Sequence, residues 1–292
     1  MLPKFPSNLT LRWQICALFA AFLAVCPTSA TQPTTACPDH FAGATPPQLT
    51  NARLAPKTRE LCAQGFAVLH SGVTRSPLFA AEHLSRASLT AAKEQVRVNS
   101  FRADTRLAID DRAELRDYVR SGYDRGHLAP SGNMPTEDAQ DESFLLSNIV
   151  PQDPTNNRFL WSGIESTTRL LVKRSGGLYV VTGAIYSSAQ LSTVGDRVIV
   201  PTHLYKALYD PATGEAAAYL VRNDELPQYA TIDLATLERL SGVRVFPGVA
   251  TKPRSIDLPG PFTRGAATSR YQRVSYGVLF DLAQKIQSSH DN

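Results

Sequence analysis

The chain has 292 residues, of which 43% are hydrophobic and 19% are charged, and its formal net charge is +4. This small excess excludes a dominant basic field over the whole molecule, so contact with a polyanion has to come from local clusters. The length suits one large domain, or one domain with appendages. Internal repeats and low-complexity tracts are absent from the sequence.

The first 30 residues have the pattern of a secretory signal peptide. Lys4 and Arg12 precede an apolar run over residues 15–25, and small residues up to Ala30 offer a cleavage point. The run is short for a membrane-spanning helix, and an uncleaved anchor is the alternative. We expect residues 1–30 to be removed, which leaves 28 basic and 26 acidic residues. The expected location is periplasmic or secreted, with no membrane attachment after cleavage.

The cysteines agree with export. Cys16 and Cys26 would leave with the signal peptide, so Cys37 and Cys62 are then the only possible pair. An oxidising compartment permits a disulfide, which would tether the polar, proline-rich arm over residues 31–62. Two free thiols are the alternative.

The rest of the chain alternates strand and helix patterns. Runs rich in β-branched and aromatic residues, separated by turn residues, predict strands, and apolar spacing of three and four predicts helices. The predicted strands span residues 66–71, 77–81, 179–186, 198–209 and 216–221, the predicted helices 158–174, 231–241 and 278–287, and a long loop 247–270.

The stretch 124–134, Asp-Arg-Gly-His-Leu-Ala-Pro-Ser-Gly-Asn-Met, carries the clearest chemical signal. Alternate residues of a strand point to the same face, so Arg125 and His127 can reach one target together. Gly126 between them allows a ligand or another backbone to come close. A permanently charged phosphate binder beside a side chain that moves protons near neutral pH indicates phosphoryl chemistry. A chance surface pair is the alternative.

The predicted helix over residues 158–174 carries a second signal. Asn157, Trp161 and Glu165 follow one another at i, i+4 and i+8, with a capping residue expected at 155–157. An amide and a carboxylate on one side of a helix can hold a hydrated Mg²⁺ ion. The alternative is that Asn157 only caps the helix and Glu165 is only solvated.

Several ordered motifs together resemble the DNA/RNA non-specific endonucleases, a family that includes mitochondrial endonuclease G and secreted sugar-non-specific nucleases of bacteria. The resemblance covers about residues 65–250, and ordered motifs are more specific than any single one. The matching segments are 101–104, 124–127, 147–148, 151–152, Asn157, Trp161, Glu165, 181–183 and 200–206.

The resemblance implies an α+β domain over residues 63–292, with a central antiparallel β-sheet flanked by helices and a ββα-metal, or His-Me finger, active site. It also implies an endonuclease that hydrolyses phosphodiester bonds of DNA and RNA with little sequence specificity, dependent on Mg²⁺, with Mn²⁺ possible. A catalytically silent nucleic-acid-binding relative and a phosphodiesterase for a non-nucleic substrate are the alternatives. The oligomeric state stays open.

Roles for individual residues follow from the same resemblance. His127 would be the general base, and Arg125 would contact the phosphate. Asn157 would be the direct magnesium ligand, Glu165 would bind metal-bound water, and Asn148 would help to orient the site.

Two points stay open at the level of sequence. The family often has a further arginine upstream of the motif, for which Arg102 is the nearest candidate, although the alignment can place Asn99 there instead. A basic cluster of Arg169, Lys173 and Arg174 either complements the carboxyl end of the predicted helix or contacts nucleic acid, and we prefer the first interpretation.

Overall fold

The computed structural model describes residues 35–252, 256–263 and 270–280. The predicted signal peptide, with its cleavage point after residue 30, lies outside these residues. So does most of the final predicted helix, although residues 276–280 are helical. No helix in the described ranges combines the length and apolar character needed to cross a membrane.

Short and long strands are distributed along the whole described chain. In order, the strands are β1 Gln48–Leu49, β2 Thr58–Cys62, β3 Ala67–Ser71, β4 Ser76–Ser85, β5 Asp124–His127, β6 Ile149–Gln152, β7 Gly177–Ile185, β8 Thr193–Val194, β9 Val198–Ile199, β10 His203–Asp210, β11 Glu215–Arg222, β12 Gln228–Ile232, β13 Val243–Arg244 and β14 Gln272–Arg273. The α-helices are α1 Arg86–Ala92, α2 Glu137–Ser143, α3 Ser162–Ser175 and α4 Leu234–Ser241.

An eight-stranded sheet in the order β14-β12-β11-β10-β7-β4-β3-β2 forms the centre of the fold. Its strands pair antiparallel except β12 with β14, which run parallel. Every residue of β10 is buried, because the sheet has a packed layer on each face. The predicted α+β class with a central antiparallel sheet is confirmed.

The two faces of the sheet have separate cores. Leu204 and Leu208 of β10 pack with Trp161 and Ile164, which come from the helical segment that contains α3. Tyr205, between these leucines in the sequence, belongs to the second core, on the opposite face. Because strand side chains alternate, a single strand supplies both cores.

The second core joins the amino-terminal segment to the sheet and to α4. Cys37 and Phe41 pack there with Leu237 of α4. Cys37 is bonded to Cys62, with 5.8 Å between the Cα atoms, so the predicted disulfide is present.

Boundaries differ from the sequence predictions mainly where short elements interrupt longer patterns. The strand predicted over 198–209 is two strands, β9 and β10, separated by the irregular residues 200–202, which include Pro201. The helix predicted over 231–241 begins only at Leu234, because the preceding residues pair with β11 as β12 and Asp233 caps the helix. Asp233 accepts from the backbone N–H of Thr236 at 2.7 Å.

Candidate active site

A small hairpin followed by a helix carries the residues singled out in the sequence. Strands β5 and β6 pair antiparallel, with His127 opposite Ile149 and Gly126 opposite Val150. The helical segment that leads into α3 begins at residue 154, directly after β6. Strand, strand and helix therefore follow the order of a ββα site, as the resemblance implied.

Gly126 is required by a side chain of the neighbouring strand rather than by a ligand. A Cβ atom at this position would lie 2.7 Å from the Cβ of Gln152. The Nε2 of Gln152 donates to Asn156 Oδ1 at 2.8 Å. The glycine thus allows Gln152 to pack over β5 and to hold the start of the helix against the hairpin.

His127 is enclosed by aromatic rings. Phe144 meets the imidazole edge to face at 4.9 Å between ring centroids, and Phe101 lies at 5.4 Å. Nε2 is buried and has no hydrogen-bond partner among the described residues. Burial, followed by the positive charges of Arg97 and Arg125, lowers the pKa of His127 to about 3. The imidazole is therefore neutral at neutral pH.

The helix that follows begins with an irregular turn. Asp153 is its cap, since Asp153 Oδ1 accepts from the backbone N–H of Asn156 at 2.9 Å, so the cap expected at 155–157 lies earlier. Residues Asn156–Trp161 form a π-helical segment that continues into α3. Such wide turns occur often at functional sites. Here Trp161 is buried in the core, whereas Asn157 and Glu165 both line one surface cleft.

Asp124 fixes the orientation of Asn157. Its carboxylate accepts from Asn157 Nδ2 at 3.0 Å and from Arg158 Nη2 at 2.6 Å. Burial alone would raise the pKa of Asp124, but these hydrogen bonds outweigh it and lower the pKa. With the amide nitrogen engaged by a carboxylate, Oδ1 is the atom of Asn157 that remains for a cation.

Glu165 is half-buried on the same side of the helix as Asn157. Burial raises its pKa, against the opposing charges of Arg169, Lys206 and Arg97. A bound cation would favour the ionised form of this carboxyl. An amide oxygen and a carboxylate beside one cleft fit a hydrated Mg²⁺ ion, which keeps several waters and needs few protein ligands.

One other group of described residues has the composition of a metal site. The ligand atoms of Cys37, Glu60 and Cys62 lie within 4.8 Å of one another. The two cysteines form the disulfide, so their sulfur atoms are not available as thiolate ligands.

These side chains surround a cleft of about 390 Å³, which we call the catalytic cleft. It contains four of the five residues that the sequence analysis placed in the site, Arg125, His127, Asn157 and Glu165. Arginines outnumber carboxylates along its wall, which suits a polyanion. The lining residues are Arg97, Arg125, His127, Pro130, Ser131, Gly132, Asn157, Arg158, Ser162, Glu165 and Arg169.

The fifth predicted residue, Asn148, lies behind the cleft. It is fully buried, and its Oδ1 accepts from the backbone N–H of Ala129 at 2.9 Å. Its Nδ2 donates to the carbonyls of Ala129 and Ser143, each at 2.9 Å. Asn148 therefore holds the loop that follows His127 and does not face the cleft.

Arg97 is the arginine that sequence reasoning missed. Its Nη1 donates to Ser131 Oγ and its Nε to Asn99 Oδ1, both at 2.9 Å, and it lines the catalytic cleft. Arg102 instead pairs with Asp141 of α2 at 2.5 Å and does not line the cleft. The exposed, aperiodic segment around Arg97 contained no pattern that would have distinguished it.

A row of buried polar side chains lies under α3, and it was also missed. Lys206 Nζ donates to Thr182 Oγ1 at 2.5 Å on the neighbouring strand and lies 5.3 Å from the Trp161 ring centroid. Glu82 Oε1 accepts from Asn133 Nδ2 at 3.0 Å. The available signal was a charged residue in the middle of each of two apolar strand patterns.

Comparison with known proteins agrees with this geometry. Residues 49–252 match the family described as DNA/RNA non-specific endonuclease. Nuclease EXOG, mitochondrial, of Danio rerio is 34% identical over 196 residues, which cover 60% of this chain and 57% of that protein. Endonuclease G, mitochondrial, of Bos taurus is 28% identical over 253 residues, or 80% of this chain and 84% of that protein. The chain thus spans little more than half the length of the EXOG relatives.

A solved structure shows the same relation. The chain has a TM-score of 0.58 and 25% identity to a structure titled "Crystal structure of the EndoG/EndoGI complex: Mechanism of EndoG inhibition", with 65% of this chain and 86% of that chain covered.

The predicted periplasmic or secreted location is wrong. The relatives of Danio rerio, Bos taurus and Schizosaccharomyces pombe carry the names of mitochondrial nucleases, which contradicts this prediction. Basic residues followed by apolar residues did not distinguish a secretory signal peptide from an organelle transit peptide, because both kinds of signal contain basic residues near the amino terminus. The ββα order, the cleft and the match over most of the described residues lead to one assignment: the chain belongs to the DNA/RNA non-specific endonuclease family.

Proposed function

We propose that the protein is a metal-dependent endonuclease that hydrolyses phosphodiester bonds of DNA and RNA. The observation that carries the proposal is the catalytic cleft itself, where a neutral histidine, an amide and a carboxylate face a wall of arginines. Nucleases of this family generally depend on a metal ion. Neutral histidine, hard oxygen ligands and phosphate-binding guanidinium groups are the parts that phosphodiester hydrolysis needs.

The cleft favours substrates by charge rather than by base sequence. Arg97, Arg125, Arg158 and Arg169 present guanidinium groups, which bind phosphate oxygens. Contacts to phosphate position a nucleic acid without reading its bases. We therefore infer little sequence preference and activity on both DNA and RNA.

His127 acts as the general base. Because Nε2 is enclosed by protein, Nδ1 is the ring nitrogen that takes a proton from the attacking water. The depressed pKa keeps the ring in its neutral form at neutral pH. Arg125 and Arg97, which lower that pKa, also neutralise charge on the phosphate.

Asn157 and Glu165 would hold the cation, Mg²⁺ or alternatively Mn²⁺. Oδ1 of Asn157 would bind it directly, and the Glu165 carboxylate would accept from its water ligands. When bound, the ion supplies positive charge to the phosphate and to the leaving oxygen. Asp124 holds the Asn157 amide in the orientation that this binding needs.

The proposal is tested by incubating the purified protein with plasmid DNA, RNA and a small aryl phosphodiester, with Mg²⁺ or with chelator. We expect cleavage of both polymers with Mg²⁺ and none with chelator.

Single-turnover cleavage by His127→Ala should fall about 100-fold or more, while binding measured in Ca²⁺ changes little. His83→Ala is the matched control, since this exposed histidine does not line the cleft.

Each competing function has its own outcome in this experiment. Cleavage of the small diester alone would favour a phosphodiesterase, and binding without cleavage would favour a silent relative.

Asn157→Ala should remove most activity, and Glu165→Gln should lower it about 10- to 100-fold. Wild-type turnover by Asn157→Ala at limiting Mg²⁺ would contradict the assigned metal ligand.

A further inference from the structure

A second concavity adjoins the catalytic cleft and has no role in the reaction described above. It has a volume of about 370 Å³ and shares Gly132 and Arg169 with the cleft. Its wall also contains Lys93, Lys173 and Phe262. A polymer bound at the catalytic cleft can therefore continue into this second concavity without leaving the surface.

The two lysines line the second concavity, and neither has a carboxylate partner among the described residues. Lys93 follows the end of α1 and Lys173 lies in the last turn of α3, and both are exposed. Among the described residues neither forms an ion pair with Asp or Glu. Lys93 lies close enough to lower the pKa of Lys173, chiefly by like-charge repulsion. Two unpaired ammonium groups side by side favour a bound anion.

The helix end does not account for Lys173. Carbonyls in the last turn of α3 are already bound by another side chain, because Arg86 donates to the carbonyls of Lys173 at 2.8 Å and Arg174 at 3.0 Å. The C-terminal partial charge of the helix thus has a cation in direct contact. Lys173 is therefore not needed to complement the carboxyl end of α3, which was the interpretation preferred from the sequence.

Phe262 adds an exposed aromatic ring, and its backbone is fixed against α3. Its side chain is 48% exposed, while its backbone N–H donates to Thr167 Oγ1 at 2.8 Å. A Cβ atom at Gly163 would lie 2.9 Å from the carbonyl oxygen of Phe262, so glycine permits this close contact with α3. The ring lines the second concavity on one side and a third, which contains Arg270, on the other.

We propose that the second concavity binds the nucleotide next to the scissile phosphodiester in a single-stranded stretch of the substrate. Lys93 and Lys173 contact the neighbouring phosphate, and Phe262 stacks on an unpaired base. Stacking on aromatic side chains beside a basic groove is the usual way in which proteins bind single strands without reading sequence. The inference rests on the proposed nuclease function, because it takes the scissile phosphate to lie at His127.

The test compares three variants with the wild type, namely Lys93→Ala/Lys173→Ala, Phe262→Ala and the double control Lys252→Ala/Tyr276→Ala. The control removes an exposed lysine and an exposed aromatic ring that line neither concavity. The substrates are a single-stranded oligonucleotide of about ten nucleotides, a blunt duplex of the same sequence, and a small aryl phosphodiester. Cleavage is measured with Mg²⁺, and binding of both nucleic acids by fluorescence anisotropy with Ca²⁺.

For Phe262→Ala we expect Kd and KM for the single strand to rise about tenfold, with a smaller change for the duplex and the small diester. For the lysine variant, the slope of log affinity against log salt should fall by about one for each phosphate that the removed lysines no longer neutralise. The control should match the wild type. Unchanged Kd and salt slope, or equal losses of the Phe262 variant on single strand and duplex, would overturn the inference.

Failure of the two proposals would look different. If the wild type cleaves the oligonucleotide and the variants bind it equally well, the nuclease function stands and the second concavity is not a subsite. If the wild type cleaves nothing, the nuclease function fails, while the anisotropy measurements still decide whether Lys93, Lys173 and Phe262 bind a single strand.

Discussion

At the scale of single residues, two effects lower the pKa of His127, namely burial and nearby positive charge. The rings of Phe101 and Phe144 pack against its imidazole and bury most of it, and two arginines lie close by. Both effects disfavour the imidazolium form, so the base is available over the whole neutral range. A histidine of ordinary pKa would lose half of its free base near pH 6.5.

The first prediction concerns stability against pH. The pKa of His127 is about 3 in the native state, below the value of 6.5 for an exposed imidazole. Between these values the unfolded chain binds a proton that the native state does not, so the free energy of unfolding decreases as pH falls through 6.5. The contribution is about 2 kcal/mol between pH 7 and pH 5.

Urea unfolding of the wild type and His127→Ala at both pH values measures this contribution. The variant should lose less stability on acidification, because it lacks the buried imidazole. His40, His70, His83 and His203 are present in both proteins, so their titration cancels in the comparison. An equal loss in both proteins would contradict the depressed pKa.

At the scale of elements, α3 packs over a row of buried charged and polar side chains on the sheet. Strands β4, β7 and β10 place Glu82, Thr182 and Lys206 on the same face, where apolar residues surround them. Asn133 connects this row to the cleft, since it donates to Glu82 and accepts from Arg169 Nη1 at 3.2 Å. We infer that this row positions Arg169 through Asn133.

The second prediction tests whether Glu82 and Lys206 act together. Burial raises the pKa of Glu82 to about 7, while the charge of Lys206 opposes this rise. Lys206→Met removes the positive charge that does most to favour the ionised carboxyl, so it should destabilise the fold by about 3 kcal/mol. Adding Glu82→Gln removes the isolated carboxyl and should restore much of the loss.

A double-mutant cycle by urea unfolding at pH 7.5 measures this coupling. Strictly additive losses would show that the two groups do not interact. Cleavage by the Glu82→Gln variant is a second readout, because its Oε1 can still accept from Asn133 and thereby keep Arg169 in place.

At the scale of the whole molecule, the sheet separates the catalytic cleft from the disulfide. The helix that supplies Asn157 and Glu165 packs on one face, and Cys37 belongs to the core of the other face. The bridge joins residues 25 apart in the sequence. It therefore restrains the amino-terminal segment without contacting the catalytic cleft.

The third prediction separates stability from activity. In the chain-entropy model, removal of a disulfide that closes a loop of this length lowers the free energy of unfolding by about 3.5 kcal/mol. Cys37→Ser/Cys62→Ser should show this loss in urea, while kcat and KM at 25 °C stay near wild type. A fall in kcat in a variant that circular dichroism shows to be fully folded would contradict the separation.

Local sequence patterns were enough to predict the candidate site residues of this protein and its general architecture. Alternation along a strand places Arg125 and His127 on one face, and helical spacing places Asn157 and Glu165 near each other, because both periodicities are local properties of the backbone. The strand patterns and the family resemblance could also be inferred from neighbouring residues and their order. The pairing of Cys37 with Cys62 was inferred by elimination, because the other two cysteines lie in the predicted signal peptide.

Which distant residues meet depends on how the elements pack in three dimensions. Arg97 reaches the catalytic cleft, whereas Arg102 pairs with Asp141, and the π-helical turn buries Trp161 between two cleft residues. The second concavity combines Lys93, Lys173 and Phe262 from three separate segments. No local period encodes such meetings, because they depend on how the elements pack, and a side chain's burial and pKa depend on that packing in turn.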